Sequence, residues 1–536
     1  MSERYLLLAE ADKIQDFVLF RASTLREVVG ASALLTRFCQ ETARYCLKLS
    51  PDDIIVSDGG SFRLLFDRFE AAVEAGRELA DYYYMATGAQ MSVAPPVVWD
   101  GTEEGFQLAN RRAGRLLRSA KRHREPVSTP HMPPVAFCTS AGVDLAARYE
   151  KAKPRDANET YLSRASLYKN RERDQVAVKI GFRGRFARHL DDFDSWYREA
   201  QWVETPEDVG HLGGYDPRDY VAYLVADGNG MGKIFNRCAT PDSLRDLSNK
   251  LSEIVCQSLA VPTNKLMDIH VGPKGKPFIP VLPLILGGDD LFVLLPAPWS
   301  ISFAQQFCEE FEEQMNSYLD GQPDLKGNRA SMAAAVVICK SSYPFHFAHQ
   351  RGEALLKSAK QLGKYQAAQP RSTVTFEVIT GNDSVQSTHD GERLFYPSLR
   401  PYWTSEAKED KDGIALQNLL DAREDLHAMP QKRRSHLRTL FMDVTLQAKN
   451  ESLLNEWVGK FDKFLKRLKE LDEPYVSSIY RIMDQFGHHR DTKYWRSIQR
   501  GNKVVYGNGL PDLLDAWDFL YDLEKEPKRY EGWLGL

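Results

Sequence analysis

The sequence lacks any uninterrupted apolar run of about 18 residues, so no segment reads as a membrane-spanning helix. It lacks a cysteine framework, because its seven cysteines are scattered without the paired spacing that staples a secreted domain. A signal-peptide pattern is missing too, since Met1-Ser2-Glu3-Arg4 leads straight into the strand-like Tyr5-Leu6-Leu7-Leu8. Net charge is only −4 over 536 residues, which excludes a surface that attracts nucleic acid everywhere and makes any such contact local. These absences predict a protein of the reducing cytoplasm with no membrane partner. What the chain does hold is 43% hydrophobic residues, enough for sizeable cores, in a length that predicts more than two domains.

The most informative string is Leu286-Gly287-Gly288-Asp289-Asp290-Leu291. Apolar runs flank it, Val281 to Leu286 before and Leu291 to Leu295 after. That pattern predicts a strand, a tight turn and a strand, with two adjacent carboxylates at the tip. Side-by-side aspartates resist shared ionisation unless a cation lies between them. Hard oxygen ligands of this kind suit Mg²⁺ or Mn²⁺. Gly287 and Gly288 let phosphate or backbone come close.

A matching half-site lies upstream. Val221 to Ala226 reads as a buried strand, ending at Asp227 and followed by Gly228-Asn229-Gly230-Met231-Gly232-Lys233. A turn rich in glycine before a helix offers N–H groups to phosphate, which makes Gly228, Asn229, Gly230 and Gly232 candidate nucleotide-binding residues. Asp227, Asp289 and Asp290, with Gly228 beside them, are the candidate metal-binding set. They would hold two ions roughly 3.5–4 Å apart, the spacing used for in-line phosphoryl transfer. Either string alone reads as an ordinary turn. Together, in this order and each beside a strand-like run, they point to a catalytic metal site.

The same plan occurs twice. The first copy runs from Tyr5-Leu6-Leu7-Leu8-Ala9-Glu10 through Ser57-Asp58-Gly59-Gly60-Ser61-Phe62 to Leu116-Leu117-Arg118-Ser119-Ala120-Lys121. The second runs from Tyr223-Leu224-Val225-Ala226-Asp227 through the Gly-Gly-Asp-Asp hairpin to Leu355-Leu356-Lys357-Ser358-Ala359-Lys360. Glu10 aligns with Asp227. Matching glycine to glycine puts Ser61 and Phe62 where the second copy has its aspartates, so the first copy is expected to bind no catalytic metal and to serve as half of a shared nucleotide pocket.

This doubled plan, over roughly residues 5 to 380, resembles the large subunit of type III CRISPR effector complexes, which carries two palm domains of the polymerase/nucleotide-cyclase kind. Asp12-Lys13-Ile14-Gln15-Asp16-Phe17 and Leu25-Arg26-Glu27-Val28-Val29-Gly30 fit the first palm of that family. The resemblance implies an α+β fold of two ferredoxin-like palms followed by a C-terminal helical domain. It implies a nucleotidyltransferase that joins ATP or another NTP into cyclic oligonucleotide messengers in antiviral defence. Asp227, Asp289 and Asp290 would be catalytic, and a lysine such as Lys360 or Lys364 would meet the triphosphate. Guide and target RNA, other effector subunits or a second copy of the chain are the implied partners, with a downstream effector answering to the product. A single-substrate nucleotide cyclase and a silent scaffold subunit are the competing readings. The chain opens almost directly on a palm strand, which predicts no HD nuclease domain and keeps a stand-alone relative in view. Cys138-Thr139-Ser140-Ala141 looks like the family's CxxC motif with its second cysteine replaced, so no zinc is expected. His389-Asp390 reads as a loop coincidence.

The predicted domains are residues 1–125 for the first palm, 126–217 for a connecting insert, 218–385 for the catalytic palm and 386–536 for the helical domain. Lys357, Lys360 and Lys364 fall on one helical face. Arg111, Arg115, Arg118 and Arg122 line one face of another helix with no acid in the run, either as a solvated face or as a contact for RNA or a product phosphate chain. Apolar stripes at Leu416–Leu420, Leu437–Val444, Val458–Leu468 and Leu510–Trp517 predict a helical bundle, with Trp457, Trp495 and Trp517 in its core.

Overall fold

The apolar run that opens the chain becomes the central strand of a sheet. In the computed structural model Arg4–Ala11 pairs with Ser61–Phe66 on one side and with Met91–Val93 and Val97–Trp99 on the other. The residues described are 3–22, 24–122, 136–140, 142, 144–150, 160–175, 182–191, 201–202, 206–269, 278–365, 370–380, 395–396, 398–405, 414–447, 451–487, 494–500 and 503–525. Much of the connecting insert, His389-Asp390 and the side chain of Lys364 lie outside them.

Both palms share one strand order. In the first it is Ile54–Asp58, Ser61–Phe66, Arg4–Ala11, Met91–Val93. In the second it is Leu282–Gly287, Asp290–Pro296, Tyr220–Asn229, Ser331–Lys340. Each is the βαββαβ arrangement, with the first strand central and the hairpin beside it. Helices Leu25–Glu41, Phe69–Thr87 and Glu103–Arg122 belong to the first palm, while Pro241–Ile269, Ser300–Gly321 and Phe345–Tyr365 serve the second. Thr24 caps its helix by accepting from Glu27 N. Leu244, Leu247, Leu251, Ile254 and Val255 are all buried, as their spacing requires. Every residue of Tyr220–Ala226 is buried, and each such aliphatic side chain contributes about 1.5–3 kcal/mol. That apolar packing makes the central strand a stiff mount for Asp227 near its end.

Two features differ from the sequence reading. The second sheet extends past residue 385, because Thr373–Val378 pairs in parallel with Ser331–Lys340 and antiparallel with Tyr402–Trp403. The C-terminal region also holds strands Phe395–Tyr396, Lys503–Gly507 and Arg496–Arg500 among its helices Leu416–Asp425, Gln431–Gln447, Glu451–Glu470, Val476–Gly487 and Leu510–Asp515. Phe395–Tyr396 and Tyr402–Trp403 are two residues each, too short to show a period, and the five-residue Arg496–Arg500 and Lys503–Gly507 are little longer, so sequence periodicity passes over them. Trp457, Trp495 and Trp517 are buried. No helix among the described residues is long and apolar enough to cross a membrane.

The two palms are bolted together. Arg245, on the long helix of the second, donates to the carbonyls of Ile54 (2.9 Å) and Asp52 (2.7 Å) in the first. Asp58 accepts from Ser252 on the same helix at 2.7 Å. It also takes a two-pronged contact from Arg185, at 3.0 and 3.3 Å, in the connecting helix Phe182–Ala187.

Candidate active site at the palm–palm cleft

Asp227 is positioned by the β-ladder itself. The strand continues through Gly228 and Asn229, which pair with Met332 and Ser331, and does not end at Asp227 as the glycines suggested. Gly230 makes the turn with φ +77°, and only the five-residue helix Met231–Phe235 follows. A helix that short has little dipole to offer a phosphate. Asn229 is buried and donates to Ser331 Oγ at 3.1 Å, which ties it to the sheet. Gly232 has open space around it.

The hairpin closes at the pair Gly287–Asp290, leaving Gly288 and Asp289 as its two turn residues. Gly288 adopts φ +61°, the left-handed value such turns favour at their first position. Leu291 lies opposite Ala226, so Asp290 flanks Asp227. Asp289 leans back over the strand. A Cβ on Gly228 would lie 2.8 Å from Asp289 Oδ2 and 3.0 Å from its Cβ, so the missing side chain makes the room this carboxylate occupies.

These carboxylates crowd one another. Burial and the nearby Asp227 push Asp289 up to about 7. Water reaches Asp290, yet burial in the cleft and the charges of Asp227, Asp289 and Glu353 hold its carboxyl above the usual range. One cation answers them: Lys360 forms an ion pair with Asp227. Lys357 is exposed. Glu353 lies two turns before Lys360 on the same helix, its own carboxyl raised by burial and Asp227. Sequence reading missed Glu353; the seven-residue spacing to Lys360 was the available signal.

The site opens into a cleft of about 270 Å³ shared by both palms, lined by Asp290, Leu291 and Glu353 on one side and Glu10, Gly59 and Lys121 on the other. Lys121 pairs with Glu10 at 2.8 Å. The repeat therefore reproduces the lysine–carboxylate pair as well as the sheet. The ladders also correct the alignment of the copies. Phe62 pairs with Ala9 as Leu291 pairs with Ala226, and Asp58–Ser61 closes the first hairpin as Gly287–Asp290 closes the second. Gly60 and Ser61, not Ser61 and Phe62, therefore stand at the Asp289 and Asp290 positions, and Phe62 is core. A Cβ on Gly60 would fall 2.6 Å from Ile14 Cδ1 and 3.1 Å from Ala11 Cβ, so the first palm has no room for an aspartate there.

Among the described residues no three His, Cys, Asp or Glu side chains form a cage able to hold an ion unaided. Mg²⁺ seldom needs one, since one or two carboxylates plus substrate phosphates complete its shell. Asp227 and Asp289, close enough to hydrogen-bond and with Asp289 starved of counter-charge, fit that donor set.

Two sheets of common strand order, one carrying paired aspartates on its hairpin and the other without them, define a double-palm protein of the polymerase/nucleotide-cyclase kind. Residues 220–368 match the Cas10/Cmr2 second palm domain, so this part of the chain is similar to that domain. No curated protein matches the sequence significantly. Among solved structures, the Csm1–Csm4 cassette in complex with pppApApA is similar at TM-score 0.50 and 13% identity, over 89% of this chain and 69% of that one. The cassette in complex with cA4 is similar at TM-score 0.42 and 14% identity, over 70% and 54%. The AMPPNP complex gives 0.42, 14%, 69% and 54%. In these last two the chain spans about half the length of its relative, 54%. Likeness at such identity is a likeness of fold.

Proposed function

We propose that this chain is a nucleotidyltransferase subunit of a type III CRISPR-like defence system, joining NTPs, ATP first among them, into cyclic oligonucleotides with release of pyrophosphate. The observation that carries the reading is the cluster of Asp227, Asp289, Asp290 and Lys360, whose Asp290 lines a cleft that the first palm closes on its other side. The match to the Cas10/Cmr2 palm supports the class, and the fold shared with the Csm1–Csm4 cassette in complex with pppApApA supports a nucleotide substrate.

Asp227 and Asp289 would hold Mg²⁺ or Mn²⁺, with Asp290 beside them. When bound, the ions supply charge neutralisation for the triphosphate and for the attacking 3′-hydroxyl. Lys360 would exchange its bond to Asp227 for a phosphate oxygen once a cation takes over the carboxylate. Glu10 and Lys121 would face the second nucleotide across the cleft, and Gly287 and Gly288 would leave the hairpin backbone open to it. The apolar hairpin floor, Leu286 and Leu291, excludes water from that side.

The direct test is incubation with Mg²⁺ or Mn²⁺ and each NTP in turn, alone and with an RNA duplex formed by guide and target, followed by mass spectrometry. Cyclic oligoadenylates are expected. A cyclic mononucleotide alone would favour a one-substrate cyclase, and no product under any condition would favour a scaffold.

A further inference from the structure

The first palm ends in the helix Glu103–Arg122, which starts eight residues before the basic run that marks it in the sequence. Phe106, Ala109, Asn110, Ala113 and Leu117 form its buried face. The opposite face carries Arg111, Arg115, Arg118 and Arg122, all exposed. None of the four pairs with a carboxylate among the described residues, and the helix has no acid after Glu104. Arginines three and four apart on one face repel, and a merely solvated helix usually interleaves acids to relieve this.

Tertiary structure adds to the stripe. Gln107 Nε2 donates to Arg237 O at 3.1 Å, Asn110 Nδ2 to Phe235 O at 3.4 Å and Arg111 to Asn236 O at 3.5 Å. These bonds lay residues 235–237 of the second palm along the helix. Arg237, exposed and without a carboxylate partner among the described residues, thereby joins the arginines. Five cations from two domains, none paired with a carboxylate among the described residues, thus share one surface of a chain whose net charge is −4.

We infer that this surface binds a nucleic-acid strand through its phosphodiester backbone. From Arg111 to Arg122 the stripe is about 16 Å long, enough to meet roughly three to five successive phosphates. None of its four arginines lines the palm–palm cleft, and an open ridge suits a long flexible polyanion better than a small ligand, which needs enclosure. The helix's one aromatic, Phe106, is buried, so the surface offers charge without a stacking platform. Binding is therefore salt-dependent and indifferent to base.

The test is fluorescence anisotropy on the full chain with labelled 20-nucleotide single strands, mixed-sequence and polyuridine, at 50 to 200 mM salt without NTP or divalent ion. The assay is blind to nucleotidyl transfer, so its result is independent of the proposed chemistry. The fourfold variant Arg111→Ala, Arg115→Ala, Arg118→Ala, Arg122→Ala is expected to weaken binding at least tenfold at 50 mM salt. It should also flatten the slope of log affinity against log salt by roughly 2–3, near 0.7 per lost phosphate contact. Alanine favours helix, so circular dichroism should be unchanged. The charge-matched variant Lys463→Ala, Lys466→Ala, Arg467→Ala, Lys469→Ala, on the acid-interleaved helix Glu451–Glu470, should bind like wild type. The assignment is overturned if no strand binds, if both fourfold variants weaken binding equally, if polyglutamate of equal charge competes as well as RNA, or if an adenylate tetramer binds as tightly as the 20-mer.

Discussion

A Cβ placed on Gly287 would lie only 3.0 Å from the Cα of Gly59: the hairpin of one palm rests, backbone on backbone, against the hairpin of the other. Gly59 takes φ +57° and its own Cβ would meet the Gly287 carbonyl carbon at 3.3 Å. The approach holds the aspartate hairpin at the edge of the shared cleft. Gly287→Ala should therefore cost about 1–3 kcal/mol, the usual range for forcing atoms into a packed site. It should also depress pyrophosphate release, whereas Gly232→Ala, in open space, should do neither. Denaturant melts of both variants beside a pyrophosphate assay check this. Equal stability of the two would mean that the hairpins do not touch in solution.

The double replacement Asp289→Ala, Asp290→Ala should abolish product while the fold persists. Catalysis should fall by far more than the roughly 10²–10³-fold lost with one electrostatic donor, because ion placement itself is lost. Asparagine at both positions should be nearly as damaging, since it keeps shape without charge. Above pH 7 the variant should be no less stable than wild type, because both carboxyls are raised in the fold and their ionisation there works against folding. Product at a near wild-type rate would place the chemistry elsewhere.

The two lysine–carboxylate pairs should behave unequally. Asp227→Ala should eliminate pyrophosphate release. Glu10→Ala and Lys121→Ala should chiefly raise the KM for NTP, because the first hairpin has Gly60 and Ser61 where the aspartates would stand. Lys360→Ala should lower kcat and raise KM together. Steady-state kinetics over a range of NTP concentration separates these outcomes, and loss of all turnover in Glu10→Ala would move the reaction to the first palm.

His349 gives a pH handle. It is buried against Phe292, ring centroids 4.6 Å apart, and burial lowers it to about 4, with Glu353 at 3.8 Å. Because the folded value lies below the unfolded one of about 6.5, its contribution is complete above pH 6.5 and is lost as pH falls towards 4. That loss amounts to roughly 3 kcal/mol. Stability of His349→Leu should fall less steeply than wild type across pH 6.5 to 4, by close to one bound proton. Parallel slopes would show that the imidazole is already charged in the fold.

Local pattern was enough for much of this molecule. The alternation and apolar runs of Tyr5–Leu8, Val221–Ala226 and the two arms of the hairpin marked their strands, because burial is written into each strand's own residues. The doubled order of Glu10, Gly59-Gly60 and Lys121 against Asp227, Gly287-Gly288 and Lys360 made the repeat legible for the same reason. Which residue of one hairpin matches which of the other was not local. String matching anchored on glycine, while hydrogen-bond register anchored on the closing pairs Asp58–Ser61 and Gly287–Asp290, one residue apart. Nor was it local that Asp227 lies within the strand, since pairing with Ala333 extends the strand through glycines that alone would end it. Glu353 at the site, Lys121 across the cleft, and Arg237 beside the arginine helix were decided only by tertiary structure. Each depends on a contact between segments far apart in the chain, and side-chain chemistry alone does not say which distant surface will meet it.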